Sequence, residues 1–287
     1  MKRVETNKSG GTTVVERFDS VSLFWAGLNG KETQKAFKPY EASLGTGKFR
    51  LDFTGTNNIE EATKLLLEGD RKNADEVLMQ VVAIKRQVGK ETKRQKVGTG
   101  VVGFAPNVPN YLAGVPRNMI TATPSKRKDK IINLVYNIGA GCTIEKETLQ
   151  KAVINLAGAI VALEAGGARV QVFANWTVYD TKRGGGKHYT SLFVKIKNAS
   201  QPLDVLKMIY PLGHPSMLRR HAFRWMETTK EVPECFRSGY GSQVAPTEVG
   251  QICAEAGVKC DRVLDYEVAS ENDYKQLARM IDTGVII

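Results

Sequence analysis

The chain has 287 residues, of which 41 are Lys or Arg and 30 are Asp or Glu, giving a formal net charge of +11 at pH 7. Its 42% hydrophobic content is ordinary for a globular protein and excludes an intrinsically disordered chain. No run approaches the roughly 20 consecutive apolar residues of a membrane span, and the first residues lack the apolar segment of a signal peptide. We therefore expect a soluble, intracellular protein with one large or two modest domains.

The distribution of charge along the chain is uneven. Residues 57–80 hold six acids and three bases, whereas residues 81–130 hold eleven bases and two acids. A strongly basic protein inside a cell favours polyanionic partners, of which nucleic acid is the commonest.

The first part of the chain has two amphipathic segments followed by an irregular stretch. Asn58 has the sequence context of a helix N-cap, with Glu61 placed as in a capping box, and Gly69 is placed to end that helix. A second apolar stripe runs from Ala74 to Val82, and the helix that it predicts ends near Gly89. The segment from Val97 to Pro124 is rich in Gly and Pro and predicts turns and extended pieces.

From residue 131 onward the pattern is that of a βαβ unit. The apolar run Ile131–Tyr136 predicts a buried strand. Glu145–Glu164 has one apolar face and predicts a long helix, and Arg169–Phe173 predicts a second strand that extends toward Val178. A strand, a helix and a strand in this order imply parallel pairing with a right-handed crossover.

The remainder of the chain predicts a hairpin and further helices. Lys182–Lys187 predicts a turn, and Tyr189–Lys197 alternates as a strand, with Lys195 and Lys197 on one side. Helices are predicted at Leu203–Tyr210, Ser216–Glu227, Thr247–Glu255 and Glu271–Ile281, and a strand near Arg262–Val268. The fold class is therefore α/β, with a helical and irregular part over residues 1–124 and a Rossmann-like sheet flanked by helices over residues 125–287.

This order of elements resembles the von Willebrand factor A-like (vWA) fold. In that family the first strand leads into an Asp-x-Ser-x-Ser motif that binds a divalent ion. Here Asn137, Gly139 and Gly141 occupy the matching places, with Thr143 close by, so the resemblance implies a site without a metal. The surface around Asn137, Gly139, Gly141 and Thr143 would instead bind a host or phage protein.

Other segments resemble an uncharacterised tailed-bacteriophage protein family. They are Gly103–Met119, Leu203-Asp204, and His214–Arg220 with Phe223 and Glu227. The resemblance implies a phage origin and a place in the host cytoplasm or the virion, but it implies no activity.

Several familiar chemistries are excluded by their spacing. Gly98–Gly103 matches a dinucleotide-binding pattern only in its letters, and Gly45–Lys48 lacks the first glycine and the Ser or Thr of a P-loop. His214 and His221 could share a helix face, but zinc would require two further ligands, and only Cys235 is near. The four cysteines are expected to be reduced thiols. The chain thus suits a binding protein better than an enzyme, and we predict no cofactor.

Two functions remain open: sequence-independent nucleic-acid binding, or a protein-protein adaptor or virion-associated structural role. No membrane partner is expected, and the sequence leaves the oligomeric state open. For Arg220 and Arg224 the alternative is that these arginines are solvated or paired with carboxylates, and for the 182–187 turn the alternative is simple solvation. The candidate nucleic-acid contacts are Lys85, Arg86, Lys90, Lys93, Arg94, Lys96, Lys126, Arg127, Lys128, Lys182, Arg183, Lys187, Arg220 and Arg224.

Overall fold

The structure is a computed structural model. It describes residues 1–6, 10–35, 37–38, 41–45, 51, 53–92, 97–103, 105–122, 130–141, 143–181, 186–233, 235–236 and 239–284.

A mixed β-sheet forms the centre of the protein. Its strands are β1 (Lys2–Thr6), β2 (Thr12–Phe18), β6 (Lys130–Asn137), β7 (Ala168–Thr181), β8 (Lys187–Lys197), β9 (Ser242–Gln243) and β10 (Arg262–Asp265). Their spatial order is β1-β2-β8-β7-β6-β10, with β9 paired to β7. Strands β6 and β7 are parallel, β10 is parallel to β6, and β8 is antiparallel to β7.

Helices cover both faces of this sheet, which confirms the predicted α/β class. Eight helices and a π-helical turn (Met217–Ala222) contribute to the larger core on one face, whereas α8 (Pro246–Glu255) packs on the other. The eight helices are α1 (Val21–Leu28), α2 (Ile59–Glu68), α3 (Arg71–Thr92), α5 (Lys146–Ala165), α6 (Val205–Gly213), α7 (Phe223–Thr228), α9 (Tyr266–Glu271) and α10 (Tyr274–Thr283).

The predicted βαβ unit is confirmed as β6, α5 and β7. Helix α5 ends at Ala165 with Gly166 as its C-cap, and its apolar stripe, including Leu149, Leu156 and Ile160, is buried. Helix α5 is also long and apolar enough to cross a membrane, although half of that stretch is buried inside the protein. The core helix of a globular protein can have the same length and hydropathy, so these two properties alone do not identify α5 as a membrane span.

The predicted start and end of α2 are confirmed at atomic detail. The Oδ1 atom of Asn58 accepts a hydrogen bond from the backbone N–H of Glu61 at 2.8 Å. The Glu61 carboxylate binds the backbone N–H of Asn57, at 2.7 Å, rather than that of the N-cap residue. Gly69 ends the helix with φ of 89°, a conformation that favours glycine.

Two predictions about strands are corrected. The irregular N-terminal part contains strands β1 and β2, and β2 lies parallel to β8. The strand expected over Arg262–Val268 ends at Asp265, because the Asp265 carboxylate accepts from the backbone N–H of Val268 and begins α9. The division of the chain at residue 124 stays a prediction, although described residues on its two sides share one sheet and one core.

Residues 97–103 and 105–122 form a second, smaller sheet apart from the central one. Strands β3 (Val97–Gly100), β4 (Ala105–Pro106) and β5 (Met119–Ala122) make a three-stranded antiparallel sheet in the order β3-β5-β4. The short helix α4 (Val108–Leu112) lies between β4 and β5. The predicted turns and extended pieces are thus assembled into a sheet.

Candidate nucleic-acid interface

Exposed cations lie on α3, on α10 and at the first residues of β6 and β7. Helix α5 carries Gly158, where a Cβ atom would lie 2.7 Å from Ile84 of α3 and 2.8 Å from Tyr274 of α10. The missing side chain lets α3 and α10 come together over α5. The Tyr274 hydroxyl then donates to the Gln87 side chain at 3.1 Å, so the start of α10 adjoins the C-terminal half of α3.

These cations come from α3, α10 and the first residues of β6 and β7. Lys275 and Arg279 are four residues apart and share the exposed side of α10. At the far end of α10, Lys130 of β6 binds the Asp282 carboxylate at 2.8 Å, and Arg169 stands beside it on β7. We call this set of cations the basic end; it comprises Lys85, Arg86, Lys130, Arg169, Lys275 and Arg279, all of which are exposed.

The sequence identified only part of the basic end. Lys85 and Arg86 were predicted as contacts, and Lys90 lies in α3 beyond them. Arg169, Lys275 and Arg279 were missed because they are far apart in the chain and only the packing of α10 and the pairing of β6 with β7 bring them together. Lys93, Arg94, Lys96, Lys126, Arg127, Lys128, Lys182 and Arg183 lie outside the described residues.

The base of the predicted hairpin tip carries a paired lysine. The Lys187 ammonium lies 3.2 Å from the Glu248 carboxylate and 4.7 Å from the centre of the Tyr179 ring. The hydrogen bond to Glu248 raises the pKa of Lys187 above its ordinary value. A phosphate would have to compete with Glu248 for this cation, so Lys187 is a weaker candidate than the sequence suggested.

Arg220 is buried and makes its contacts inside the protein, so its assignment to a nucleic-acid surface is corrected. Its guanidinium donates to the carbonyls of Ser43 and Gly45, the carbonyl and hydroxyl of Thr56, and the hydroxyl of Thr54, at 2.6 to 3.2 Å. The segment before α2 therefore folds around this side chain. A fork of five donors suits such a set of acceptors.

The neighbouring arginines are also engaged within the fold. Arg224 forms an ion pair with Glu41 at 3.0 Å, which is the carboxylate pairing left open as an alternative. Arg219 donates to the carbonyl of Gly141 at 2.8 Å, and its guanidinium carbon lies 4.3 Å from the centre of the Phe53 ring. The basic helix that resembled a nucleic-acid contact is thus an internal anchor for residues 41–45 and 53–56 and for Gly141 after β6.

A buried carboxylate completes this anchor. Glu227 is fully buried, and its carboxylate accepts from the backbone N–H groups of Ala42 and Ser43, at 3.1 and 3.2 Å, and from the hydroxyls of Ser43 and Tyr240. Burial raises its pKa above the ordinary value. Because the Ser43 carbonyl binds Arg220, this one residue connects the buried cation to the buried carboxylate.

His214 and His221 are both hydrogen-bonded to neighbouring residues in the core. His221 contacts the Tyr210 hydroxyl through Nδ1 at 2.9 Å and the Thr63 hydroxyl through Nε2 at 3.3 Å. His214 accepts from the backbone N–H of Ser216 through Nδ1 at 3.1 Å and stacks on Tyr210. Among the residues that the structure describes, no group of three His, Cys, Asp or Glu side chains is arranged to hold a metal.

Acidification is expected to destabilise the fold through these two histidines. Burial lowers the pKa of His221 from 6.5 to about 3 and that of His214 to about 4. The unfolded chain therefore binds protons more readily than the folded protein. The histidines cost no stability above pH 6.5, and the free energy of unfolding declines as the pH falls through 5 toward 4. The expected loss at pH 5 is about 2 kcal/mol for each histidine. Urea unfolding at pH 7, 6 and 5 measures it.

The raised pKa of Glu227 has the opposite sign, because its contribution to stability is lost as the pH rises through its folded pKa. The net loss at pH 5 is therefore smaller than the histidine sum. A His221→Asn variant should show a weaker pH dependence than the parent. Equal unfolding midpoints at pH 7 and 5 in the parent would contradict the prediction.

The loop after β6, predicted to bind a partner protein, is largely internal. Asn137 and Gly139 are buried, and the Asn137 side chain accepts from the Gly139 backbone N–H at 2.9 Å. The Gly141 carbonyl is taken by Arg219. The prediction that Asn137 and Gly139 contact a partner is therefore corrected, because both are buried. Gly141 is partly exposed and Thr143 is exposed.

Two cysteines that are seven residues apart come into contact. Cys253 is buried on α8, and a hydrogen bond with Cys260 together with burial raises the pKa of the Cys253 thiol. Cys235, Cys253 and Cys260 are free thiols in the structure.

Fold and surface together define an α/β protein with a basic end and a helix of internal cations. A family model described as "Domain of unknown function (DUF7192)" matches residues 2–280. The chain therefore belongs to this family, and the match extends across both parts of the chain. No curated protein matches it, and no solved structure does.

Proposed function

We propose that this protein is a non-catalytic, phage-encoded accessory protein that binds nucleic acid without reading its sequence, through the basic end. The observation that supports this most directly is that α3, α10 and the first residues of β6 and β7 all carry exposed cations, in a chain with a net charge of +11. Host cytoplasm or the virion is the corresponding location.

The chemistry of the basic end suits backbone contacts rather than base readout. Lys and Arg side chains on exposed helix faces reach phosphates, and phosphate contacts fix position without carrying sequence information. Each neutralised phosphate releases counterions, so affinity should fall steeply with salt. Lys85, Arg86 and Arg279 are exposed cations that suit this role.

A charge-matched pair of variants tests the proposal. One replaces Lys85, Arg86 and Arg279 with Ser, and the other replaces Lys64, Lys230 and Lys259, which are exposed elsewhere. Both lose three charges, so any difference between them reports location. Fluorescence anisotropy with duplex and single-stranded oligonucleotides over a salt series should show weaker binding for the first variant. Its log–log salt slope should be shallower by about 0.9 per lost contact on duplex DNA.

Two outcomes would contradict the proposal. Absence of binding by the parent at low salt would exclude nucleic acid as a ligand. Equal weakening in both variants would show that the overall charge, and not the basic end, attracts the nucleic acid. A Lys182→Ser, Arg183→Ser variant in the same assay tests the hairpin tip separately.

The adaptor function remains a second proposal, restricted to the exposed part of the loop after β6. The vWA-like relationship is supported by the recurrence of its element order in β6, α5, β7, β8 and β10. Thr143 would be the contact to replace.

A further inference from the structure

The turn that follows α8 brings two cysteines together. Cys253 lies on the buried side of α8. Past the end of the helix, the backbone N–H of Val258 donates to the Cys253 carbonyl at 2.9 Å, and Gly257 adopts a φ of 61°. The chain therefore reverses direction beside Cys253, and Cys260 follows two residues after Val258.

The central sheet holds Cys260 in place from the other side. The backbone N–H of Asp261 donates to the Asn133 carbonyl of β6 at 2.8 Å. The Asp261 carboxylate accepts from the backbone and the side-chain N–H groups of Asn133, at 2.7 Å each. Arg262 then begins β10, which pairs with β6, and its carbonyl oxygen lies 3.3 Å from the Cys260 sulfur. Cys260 thus stands on backbone that the sheet fixes, as Cys253 stands on a helix.

The two thiols are in hydrogen-bond contact, but their surroundings differ. Both side chains contribute to the smaller core between α8 and the sheet. Cys253 is 1% exposed, whereas Cys260 is partly exposed. The hydrogen bond raises the pKa of the Cys253 thiol and lowers the pKa of Cys260, so Cys253 is the donor and the Cys260 sulfur is the acceptor. An accessible, more readily ionised thiol beside a buried one is the arrangement of an attacking and a resolving cysteine.

We propose that Cys253 and Cys260 form a reversible redox site, at which a small disulfide of the glutathione type oxidises the two thiols to an intramolecular disulfide. The structure shows the reduced state, in which the two sulfurs are already neighbours. The new bond joins the last turns of α8 to the residue before Asp261, and so it fastens α8 to the β6–β10 edge of the sheet. Neither cysteine belongs to the basic end, so this site is separate from the proposed nucleic-acid binding.

Oxidation proceeds through two thiol–disulfide exchanges. The Cys260 thiolate attacks one sulfur of oxidised glutathione, which breaks the glutathione S–S bond, forms a mixed disulfide at Cys260 and releases one glutathione thiolate. The Cys253 thiol then loses its proton to solvent and attacks the Cys260 sulfur, which releases the second glutathione. One oxidised glutathione is reduced to two thiols while the two cysteines are oxidised. An excess of reduced glutathione reverses both steps.

Thiol trapping and peptide mapping test the proposal on the whole chain. A background variant with Cys142→Ser and Cys235→Ser retains only the pair. The reduced protein is equilibrated with mixtures of oxidised and reduced glutathione, quenched with N-ethylmaleimide and analysed by mass spectrometry. Trypsin cuts after Lys259, between the two cysteines, so a disulfide-linked pair of peptides identifies the bond.

The fold itself is expected to favour the bond. The equilibrium constant for forming the intramolecular disulfide should be at least about tenfold larger in the folded background variant than in the same chain in urea, because a fold that holds two thiols in contact is reciprocally stabilised by their bond. In urea only the spacing of seven residues acts. The comparison therefore isolates the contribution of the tertiary structure.

Single substitutions in the same background assign the two roles. Cys253→Ala keeps an apolar side chain in the core and should stop the reaction at the mixed disulfide on Cys260. Cys260→Ser leaves the buried Cys253 alone, and this thiol should react with oxidised glutathione at least about tenfold more slowly than Cys260 does in the Cys253→Ala variant. Circular dichroism establishes that each variant is folded, and the comparison of folded and unfolded background protein requires neither of them.

Three results would overturn the proposal. Equal equilibrium constants in the folded and the urea-unfolded background variant would show that the contact serves core packing and not redox chemistry. Mixed disulfides with glutathione that never resolve into the linked peptides would show that the fold prevents the bond from closing. A folded Cys253→Ala variant that reacts no faster than Cys260→Ser would show that Cys260 is not the attacking thiol.

Discussion

Replacing Arg220 with Met is expected to destabilise the fold by at least about 3 kcal/mol. The guanidinium is fully buried and supplies hydrogen bonds to five acceptors in the segment before α2. An apolar replacement removes all five hydrogen bonds, although the Thr56 carbonyl keeps the Thr54 hydroxyl and the Thr56 hydroxyl keeps that of Ser216. Each buried acceptor that loses its donor costs about 1 to 3 kcal/mol. Urea or guanidinium unfolding of the parent and the variant measures the difference.

Two matched substitutions separate this internal role from a surface one. Arg86→Met removes an exposed arginine and should change stability by no more than about 0.5 kcal/mol. The stability loss of Arg220→Lys should lie between those of Arg86→Met and Arg220→Met, because an ammonium cannot reproduce the planar fork of donors. Limited proteolysis of Arg220→Met should cut faster near Ser43, which loses the contact to its carbonyl. An Arg220→Met variant as stable as the parent would contradict the buried anchor.

Leu156→Ala is expected to cost about 2 to 5 kcal/mol. Leu156 is fully buried near the middle of α5, the helix that lies between the sheet and helices α3 and α10. Truncation removes apolar contacts and leaves a cavity that the rigid surroundings fill only in part. Chemical denaturation at pH 7 reports the loss.

A control on the same helix distinguishes packing from helix propensity. Lys151 is exposed on α5, and Lys151→Ala should alter the unfolding free energy by less than about 0.5 kcal/mol. If Leu156→Ala cost no more than this control, the apolar stripe of α5 would not face the core, and the packing of the βαβ unit would have to be revised.

Local sequence determined the elements whose signals lie close together in the chain. The stripe of α5 specified its buried side, because residues three and four apart share a helix face. Asn58 and Gly69 fixed the ends of α2 through hydrogen bonds and backbone freedom within a few residues. The apolar runs of β6 and β7, separated by one helix, implied parallel pairing. Each of these outcomes depends on neighbours in sequence, so the pattern alone sufficed.

The sheet beyond the βαβ unit depended on distant residues. Strand β2 pairs with β8, more than 170 residues later in the chain, and no local pattern announced that partner. The alternation of β8 predicted Lys195 and Lys197 on one side, yet a bulge opposite Val172 and Phe173 separates them. Lys195 binds Asp19, whereas Lys197 is buried and binds Glu164 of α5. A one-residue irregularity reverses the facing of every side chain beyond it.

Whether a given arginine is buried or exposed also depended on the tertiary structure. A sequence shows that Arg220 and Arg279 are both on helices, but each arginine takes its role from what packs beside it. Ser43, Gly45, Thr54 and Thr56 supply the acceptors around Arg220, whereas Arg279 on α10 is exposed to solvent at the basic end. A buried guanidinium requires a partner for its donors and a solvated one does not, so only the arrangement of distant acceptors distinguishes an internal anchor from a binding surface.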